Sequence, residues 1–306
     1  MSYGINYMFA KFQQLGANIG ITFNLGLDRI GSNDFSNSYY IYGPDSYELL
    51  MMRVLRSRYH SYRFKLFALI KLLFFRYKRY KLKKSTFFIV VGKVDRIYIN
   101  TFARISNQKA YSIAHPVRPA TFSRYATNNP IAKIGISGTR GKLQQFYTGS
   151  FVSDLINDVN AVKYFKEFEF IILGKDNYDL HQFFTKNNIK SSFCAHIENY
   201  DDFLGSIDAY LAFDIIGAGT KNRILQALSC NIPVIGTKYS YENISGVTSK
   251  HIYATHFELY KILEKIKSNQ PERIITEKFF ITHSESFFDH NVIRIVNDIK
   301  SKNEQC

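Results

Sequence analysis

Two glycine-bearing stretches of the 306-residue chain hold groups that can meet a phosphate. In GISGTRGK, Gly135 to Lys142, the glycines Gly138 and Gly141 permit close backbone approach, and Arg140 and Lys142 offer cationic donors just after an apolar run. In GAGTKNRILQALSCNIPVIGT, Gly217 to Thr237, Gly217 and Gly219 free the backbone ahead of Thr220 and a helical run. That helix turns its N-terminal amides and positive dipole end outward. Lys221 and Arg223 fall in its first turn, where cations are unfavourable, so a nearby anion is expected to offset the repulsion. Either turn alone is also what a plain strand-to-helix connection looks like, and neither matches GxGxxG or a Walker motif. Two such loops along one sheet carry more weight than one.

The elements that must position these loops follow from periodicity. Short apolar runs ending near glycine or aspartate predict strands over 133–138, 168–174, 209–214, 232–236 and 250–254. Helical spacing or Ser/Asp starts predict helices over 153–168, 179–188, 201–206, 221–230 and 256–268. Strand and helix in alternation imply a parallel, doubly wound α/β sheet, whose ligands sit at the carboxyl ends of the strands. Upstream, 85–99 and 109–120 read as strand-bearing, and the polar stretch 123–130, closed by Pro130, reads as a linker. The expected domains are 1–130, 131–280 and a C-terminal helical piece over 281–306 that packs back on the first domain.

Composition narrows the class. At 46% hydrophobic and 21% charged residues the chain can bury sizeable cores. Cys194, Cys230 and Cys306 are far apart with no CxxC pairing, which argues against a disulfide framework and a zinc site. The start, MSYGINYMFAKFQQLG, lacks the continuous apolar core of a secretory signal, and no stretch of about 18 uninterrupted apolar residues follows. The expected location is the cytoplasm, including the inner face of the cytoplasmic membrane. A net charge of +15 calls for an anionic partner. From Leu49 to Val94 there is no Asp or Glu, while Arg and Lys interleave with aromatic and aliphatic residues, as in YRFKLFALIKLLFFRYKRYKLKK. A basic amphipathic helix of this kind can lie on an anionic membrane, and it can equally be the solvated face of a packed helix. Single-stranded nucleic acid is the weaker partner, because no recognisable nucleic-acid module accompanies the basic stretch.

The run IGISGTRG…VKYF…FEFIILGK…FLGSIDAYLAFDIIGAGTKNRILQALSCNIPVIGT resembles the nucleotide-sugar-binding domain of the group 1, or family 4, glycosyltransferases, whose signature looks like GAGxKNKVLEAMACGIPVVGT. The likeness covers 130–240 well. Upstream, YKRYKLKKSTFFIVVGKVDRIYI is similar to the family's YEKKLLKKFDKIIVVSEVDKNYI, and IAHPVR looks like its IPNGVD. The resemblance implies a GT-B-like fold of two Rossmann-like domains with parallel sheets, the first of them reduced. It implies metal-independent, retaining transfer of a sugar from a nucleotide diphosphate donor to a glycan acceptor, lipid-linked, in bacterial surface polysaccharide synthesis such as lipopolysaccharide, O-antigen or capsule. No cofactor is expected. Donor contacts are expected from Gly138, Arg140, Lys142, Gly217, Gly219, Thr220, Lys221 and Gln226.

Gln226 stands where the family has a glutamate assigned to the donor ribose; glutamine keeps an acceptor oxygen but loses the charge-assisted bond. Asn231 replaces the glycine of ACGIPVV, and both tolerate a left-handed backbone. Asp28, Asp34 and His115 are candidates for the acceptor side, each with a plain structural reading beside it, and no catalytic base is assigned. A shortened first domain and Gln226 also fit a non-catalytic relative acting as a partner subunit.

Overall fold

A computed structural model of the chain describes residues 20–23, 39–42, 46–80, 86–102, 110–117, 131–138, 142–158, 160–268 and 275–303. The segment expected as a linker, 123–130, together with Asp28, Asp34 and Arg140, lies outside the described residues. Two all-parallel sheets organise the molecule. The first has the order β1 (Gly20–Phe23), β2 (Tyr39–Tyr42), β3 (Thr86–Val90), β4 (Ala110–Ser112). The second contains β5 (Lys133–Ser137), β6 (Glu169–Leu173), β7 (Ser191–Cys194), β8 (Ala209–Ala212) and β9 (Val234–Gly236), in the order β7-β6-β5-β8-β9.

The second sheet is apolar on both faces, as a parallel sheet covered by helices must be. Alternation along each strand sorts the side chains: Ile134, Ile136, Phe170, Ile172, Leu211 and Ile235 enter one core, and Tyr210, Ala212 and Val234 the other. Gly135 faces the second core where a Cβ would collide with Ile207, so that strand has room only for glycine.

Helix α1 (Tyr47–Arg56) and helix α2 (Tyr62–Tyr80) form the basic segment, followed by β3. The single amphipathic stretch expected over 49–94 is therefore a helical hairpin and a strand. Ser46 caps α1, its hydroxyl accepting from the Leu49 amide at 3.2 Å. Val54 of α1 and Ala68 of α2 enter the same core as Ile134 and Leu211, which docks the hairpin onto the second sheet's helices. The seam of α2 is narrow. Ala68 and Leu72 are buried one turn apart, while Tyr62, Leu66, Ile70, Leu73 and Tyr77 are exposed on the far side.

Helix α3 (Lys93–Phe102) follows β3. Beyond β5 come α4 (Lys142–Ile156), α5 (Ala161–Phe165), α6 (Tyr178–Lys186), α7 (Tyr200–Gly205), α8 (Asn222–Ser229) and α9 (His256–Lys267). Three sequence expectations change here. Helix α4 starts at Lys142, eleven residues before the expected start, because Tyr147, Phe151 and Leu155 at helical spacing pack on the sheet and carry the helix through Gly149. Strand β7 was not expected, since SSFC is a half-exposed sheet edge without an apolar run. Residues 250–254 are not a strand: a 3₁₀ turn, Ser249–His251, leads into a single bridge between Gly236 and Ile252.

The chain ends with α10 (Glu277–Thr282) and α11 (Glu285–Asn303). The Tyr111 hydroxyl of β4 donates to Asp298 of α11 at 2.5 Å, and the Val117 amide donates to the His283 carbonyl at 2.9 Å. The last helix thus touches the first sheet. His283, buried between α10 and α11, donates from Nδ1 to the His115 carbonyl (2.9 Å) and accepts the Ser245 amide at Nε2 (3.3 Å). Only the neutral ring can do both.

Burial pushes His283 and His115 below the ordinary value of 6.5. Below about pH 6.5 the unfolded chain takes up protons that the folded chain refuses, so stability is full above that pH and falls as pH drops through it. Thermal unfolding is expected to show a flat midpoint from about pH 7 to 8 and a fall below about 6.5. His283→Gln should flatten that fall; an unchanged slope would remove His283 as its source.

Candidate functional site

The loop Gly217–Thr220 leaves β8 and enters α8, and the first half of the chain covers it. Asp95, in the first turn of α3, is fully buried. Its carboxylate accepts the Ser46 amide at 2.8 Å, the Gly219 amide at 3.1 Å and the Asn243 side-chain amide at 3.0 Å. Burial raises its carboxyl above the ordinary 3.8 although all three donors pull the other way. Asn243 closes the network. With a left-handed φ of 65°, it accepts the Val94 amide (3.0 Å) and donates to the Gly219 carbonyl (3.1 Å). A Cβ at Gly92 would collide with both the Asn243 amide and the Asp95 carboxylate.

Arg53 of α1 clamps the same loop. It pairs in bidentate fashion with Glu242, both contacts at 2.5 Å, and donates to the Gly217 carbonyl. Burial opposes the charge, and Glu242 outweighs it, leaving the guanidinium above its ordinary value.

Two cavities flank this loop. The first, about 510 Å³, lies at the carboxyl ends of β5, β6 and β7, where Gly138, Gly174, Lys175, Ile197, Tyr200 and Arg223 line it. That is where a doubly wound sheet places its ligand. Gly174 turns there with φ 103°, which favours glycine. The Ser137 hydroxyl forms the floor, bonded to the Tyr200 hydroxyl at 2.9 Å and the Tyr210 hydroxyl at 2.8 Å. Burial keeps both phenols above their ordinary 10, so they stay neutral donors. The second cavity, about 660 Å³, lies at the ends of β8 and β9 against the end of α1.

Arg223 lines the first cavity and Asp214 the second, and their 2.6 Å ion pair is the partition between them. Burial would raise the Asp214 carboxyl, but Arg223 and Lys221 outweigh it and hold it below its ordinary value. Only one guanidinium edge is used. The Arg223 Nε is buried with no partner among the described residues.

The expected donor residues separate accordingly. Gly138 lines the first cavity. Lys142 begins α4 after the undescribed loop that carries Arg140. Gly217, Gly219 and Thr220 lie under the first half of the chain, with the Thr220 hydroxyl 3.4 Å from the Val91 carbonyl. Lys221 folds back on its own loop, donating to the Ala218 carbonyl at 2.8 Å. Gln226 donates to Asp201 at 2.7 Å. The anion expected to offset the cations of the first helical turn is the chain's own Asp214. Sequence reasoning missed Asp95, which reads as one charge among the surface charges Lys93 and Arg96, and Asp214, a lone acid in an apolar run, because nothing local marks the partner 124 or 9 residues away.

Among the described residues, no group of three or more His, Cys, Asp or Glu converges as a metal site would, and no helix is long and apolar enough to cross a membrane.

Two parallel sheets, a glycine-lined cavity at strand ends and a C-terminal helix touching the first sheet define a parallel α/β architecture built on two sheets. The solved structures similar to it make the class specific: this is the GT-B glycosyltransferase fold. A point mutant of S. aureus TarM, solved with fondaparinux, α-GlcNAc-glycerol and UDP, matches with a TM-score of 0.58 at 12% identity over 93% of this chain and 54% of its own. The pneumococcal O-GlcNAc transferase GtfA, solved with UDP and GlcNAc, matches with 0.55 at 11% identity over 96% and 60%. WaaG, a glycosyltransferase of lipopolysaccharide biosynthesis, matches with 0.55 at 11% over 98% and 80%. The chain thus spans a little over half the length of the first two. No family model matches the sequence, and neither does any curated protein sequence.

Removing the buried acceptor tests the Asp95 network. Asp95→Ala strands three donors and is expected to lower stability by about 2–3 kcal/mol, whereas Asp95→Asn keeps an acceptor and should cost less. Denaturant unfolding reads both, and an unshifted midpoint for Asp95→Ala would contradict the network's role.

Proposed function

We propose that the chain binds a nucleoside diphosphate sugar in the cavity at the ends of β5, β6 and β7 and transfers the sugar to a glycan acceptor. The observation that carries this reading is the Arg223 Nε, a buried donor without a partner among the described residues, on a guanidinium that lines a glycine-walled cavity. A buried polar group of this kind costs stability unless a ligand satisfies it. The cavity volume falls in the range of small-molecule sites.

Departure of a nucleoside diphosphate builds negative charge on its β-phosphate, and fixed donors stabilise that charge without reorganisation. Gly138, Arg140 and Lys142 from the first loop, with Arg223 from α8, are the groups proposed for the phosphates. They do this without a metal. Gly217, Gly219, Thr220, Lys221 and Gln226 reach the donor only if their contacts with Arg53, Asp95, Val91, Ala218 and Asp201 respectively give way. The carboxylate already on the Gly219 amide is the observation that favours the other reading, a non-catalytic relative acting as a partner subunit. Retention at the anomeric carbon and a lipid-linked acceptor of surface polysaccharide synthesis follow from the family resemblance.

The exposed stripe of α2 supports a peripheral site of action at an anionic membrane. Tyr62, Leu66, Leu73 and Tyr77 present apolar surface on a segment without a single acidic residue. Such a face gains from acyl chains and from anionic headgroups together.

Calorimetric titration with UDP tests the donor site. Arg223→Lys keeps a cation for Asp214 and removes the free Nε, so it is expected to weaken UDP binding roughly tenfold while the protein stays folded. Equal affinity in both proteins would contradict the assignment. For the membrane, the double change Leu66→Glu and Leu73→Glu is expected to reduce cosedimentation with vesicles rich in phosphatidylglycerol by roughly tenfold. Unchanged binding would exclude the α2 stripe as the contact.

A further inference from the structure

The second cavity has a charge pattern that the donor site does not explain. Arg53, Arg56, Arg58 and Lys238 line it, and among its described lining residues Asp214 is the sole acid. Two of those five charges are already matched inside the protein. Asp214 is bound by Arg223 at 2.6 Å and by the Ser240 hydroxyl at 3.0 Å, and Arg53 is held by Glu242. Arg56 and Lys238 have no carboxylate in contact among the described residues, and Arg58 feels the charge of Asp154 without pairing with it. Arg58 donates to the Tyr59 hydroxyl at 3.0 Å, and Lys238 sits over the Tyr239 ring at 5.1 Å from its centroid.

Three cations gathered in a concavity repel one another unless an anion joins them. Two arginines in three residues also match the planar oxygens of a phosphate better than point charges would. Tyr59, Tyr239 and Tyr253 supply aromatic walls between the cations, surfaces on which the apolar faces of sugar rings can lie. The partition between the two cavities is one ion pair thick, so a ligand here is a neighbour of whatever fills the first.

Resting on the donor reading above, we propose that this cavity is the acceptor subsite, and that it binds a phosphate group carried by the acceptor glycan, through Arg56, Arg58 and Lys238. The phosphate has two chemical sources: a free phosphorylated glycan, or the diphosphate of a lipid-linked one whose chain would run beside α2, which starts three residues after Tyr59.

The test uses the full chain with saturating UDP, so that the donor cavity is occupied, and titrates glucose 1-phosphate and, separately, farnesyl diphosphate. Saturable binding is expected, and the double variant Arg56→Ala, Arg58→Ala is expected to weaken it tenfold or more. Both arginines are exposed, so the fold and the UDP affinity should be unchanged. A stronger response to farnesyl diphosphate assigns the phosphate to a lipid-linked acceptor; a stronger response to glucose 1-phosphate assigns it to a free one. No saturable binding of either probe, or equal affinity in the double variant, overturns the subsite. Absence of UDP binding itself would defeat the donor reading separately, and the same titrations in Arg223→Lys would then still report on the second cavity alone.

Discussion

A buried carboxylate with no cation in contact must be met by hydrogen bonds, and Asp95 meets that demand from three separate parts of the chain. The Ser46 amide opens α1, the Gly219 amide lies between β8 and α8, and the Asn243 side chain follows β9. Each donor is held in place by something else. Ser46 caps α1, Asn243 ties the start of α3, and Arg53 pins the Gly217 carbonyl while pairing with Glu242. One anionic oxygen pair thereby sets how the two sheets face each other. The desolvation cost of that charge is offset only while all three segments are present together.

That arrangement gives the glycine loop a structural task inside the protein. Gly219 is left-handed, φ 69°, and turns its amide to an internal carboxylate. Lys221 caps its own loop. The loop is a point at which the halves meet, and the cavities lie on either side of it. On one side Arg223 offers an unused donor; on the other, arginines and a lysine gather around tyrosines. The Asp214–Arg223 pair keeps the two sites apart and supplies a polar group to each.

How much of this was legible depends on how locally each feature is encoded. Strands β5, β6, β8 and β9 were visible because a fully buried parallel strand must be an apolar run, and loops at their ends need glycine. Helix α9 was visible from the helical spacing of its apolar residues, and the structure adds a capping box, Thr255 and Glu258, at its start. Edge strand β7 was hidden because only one neighbour and half its surface demand anything of its residues. The start of α4 was hidden because tertiary packing, not propensity, carries it past Gly149. The site divides the same way. That Gly138 ends a strand at the cavity wall could be read from its neighbours, whereas the partners of Asp95, Arg53 and Asp214 are brought together only by the fold. Arg223 lay between the two cases: its awkward place in a first helical turn signalled an anion, and the anion is Asp214.

The most direct check on the donor cavity is the Nε–H resonance of Arg223, observed by NMR with selectively labelled arginine and assigned through Arg223→Lys. If the cavity at the ends of β5, β6 and β7 holds the nucleoside diphosphate, adding UDP moves that resonance and slows its exchange with solvent, because a free buried donor has gained a phosphate acceptor. If UDP binds and the resonance stays where it was, the nucleotide sits elsewhere, and the role given to this cavity is wrong.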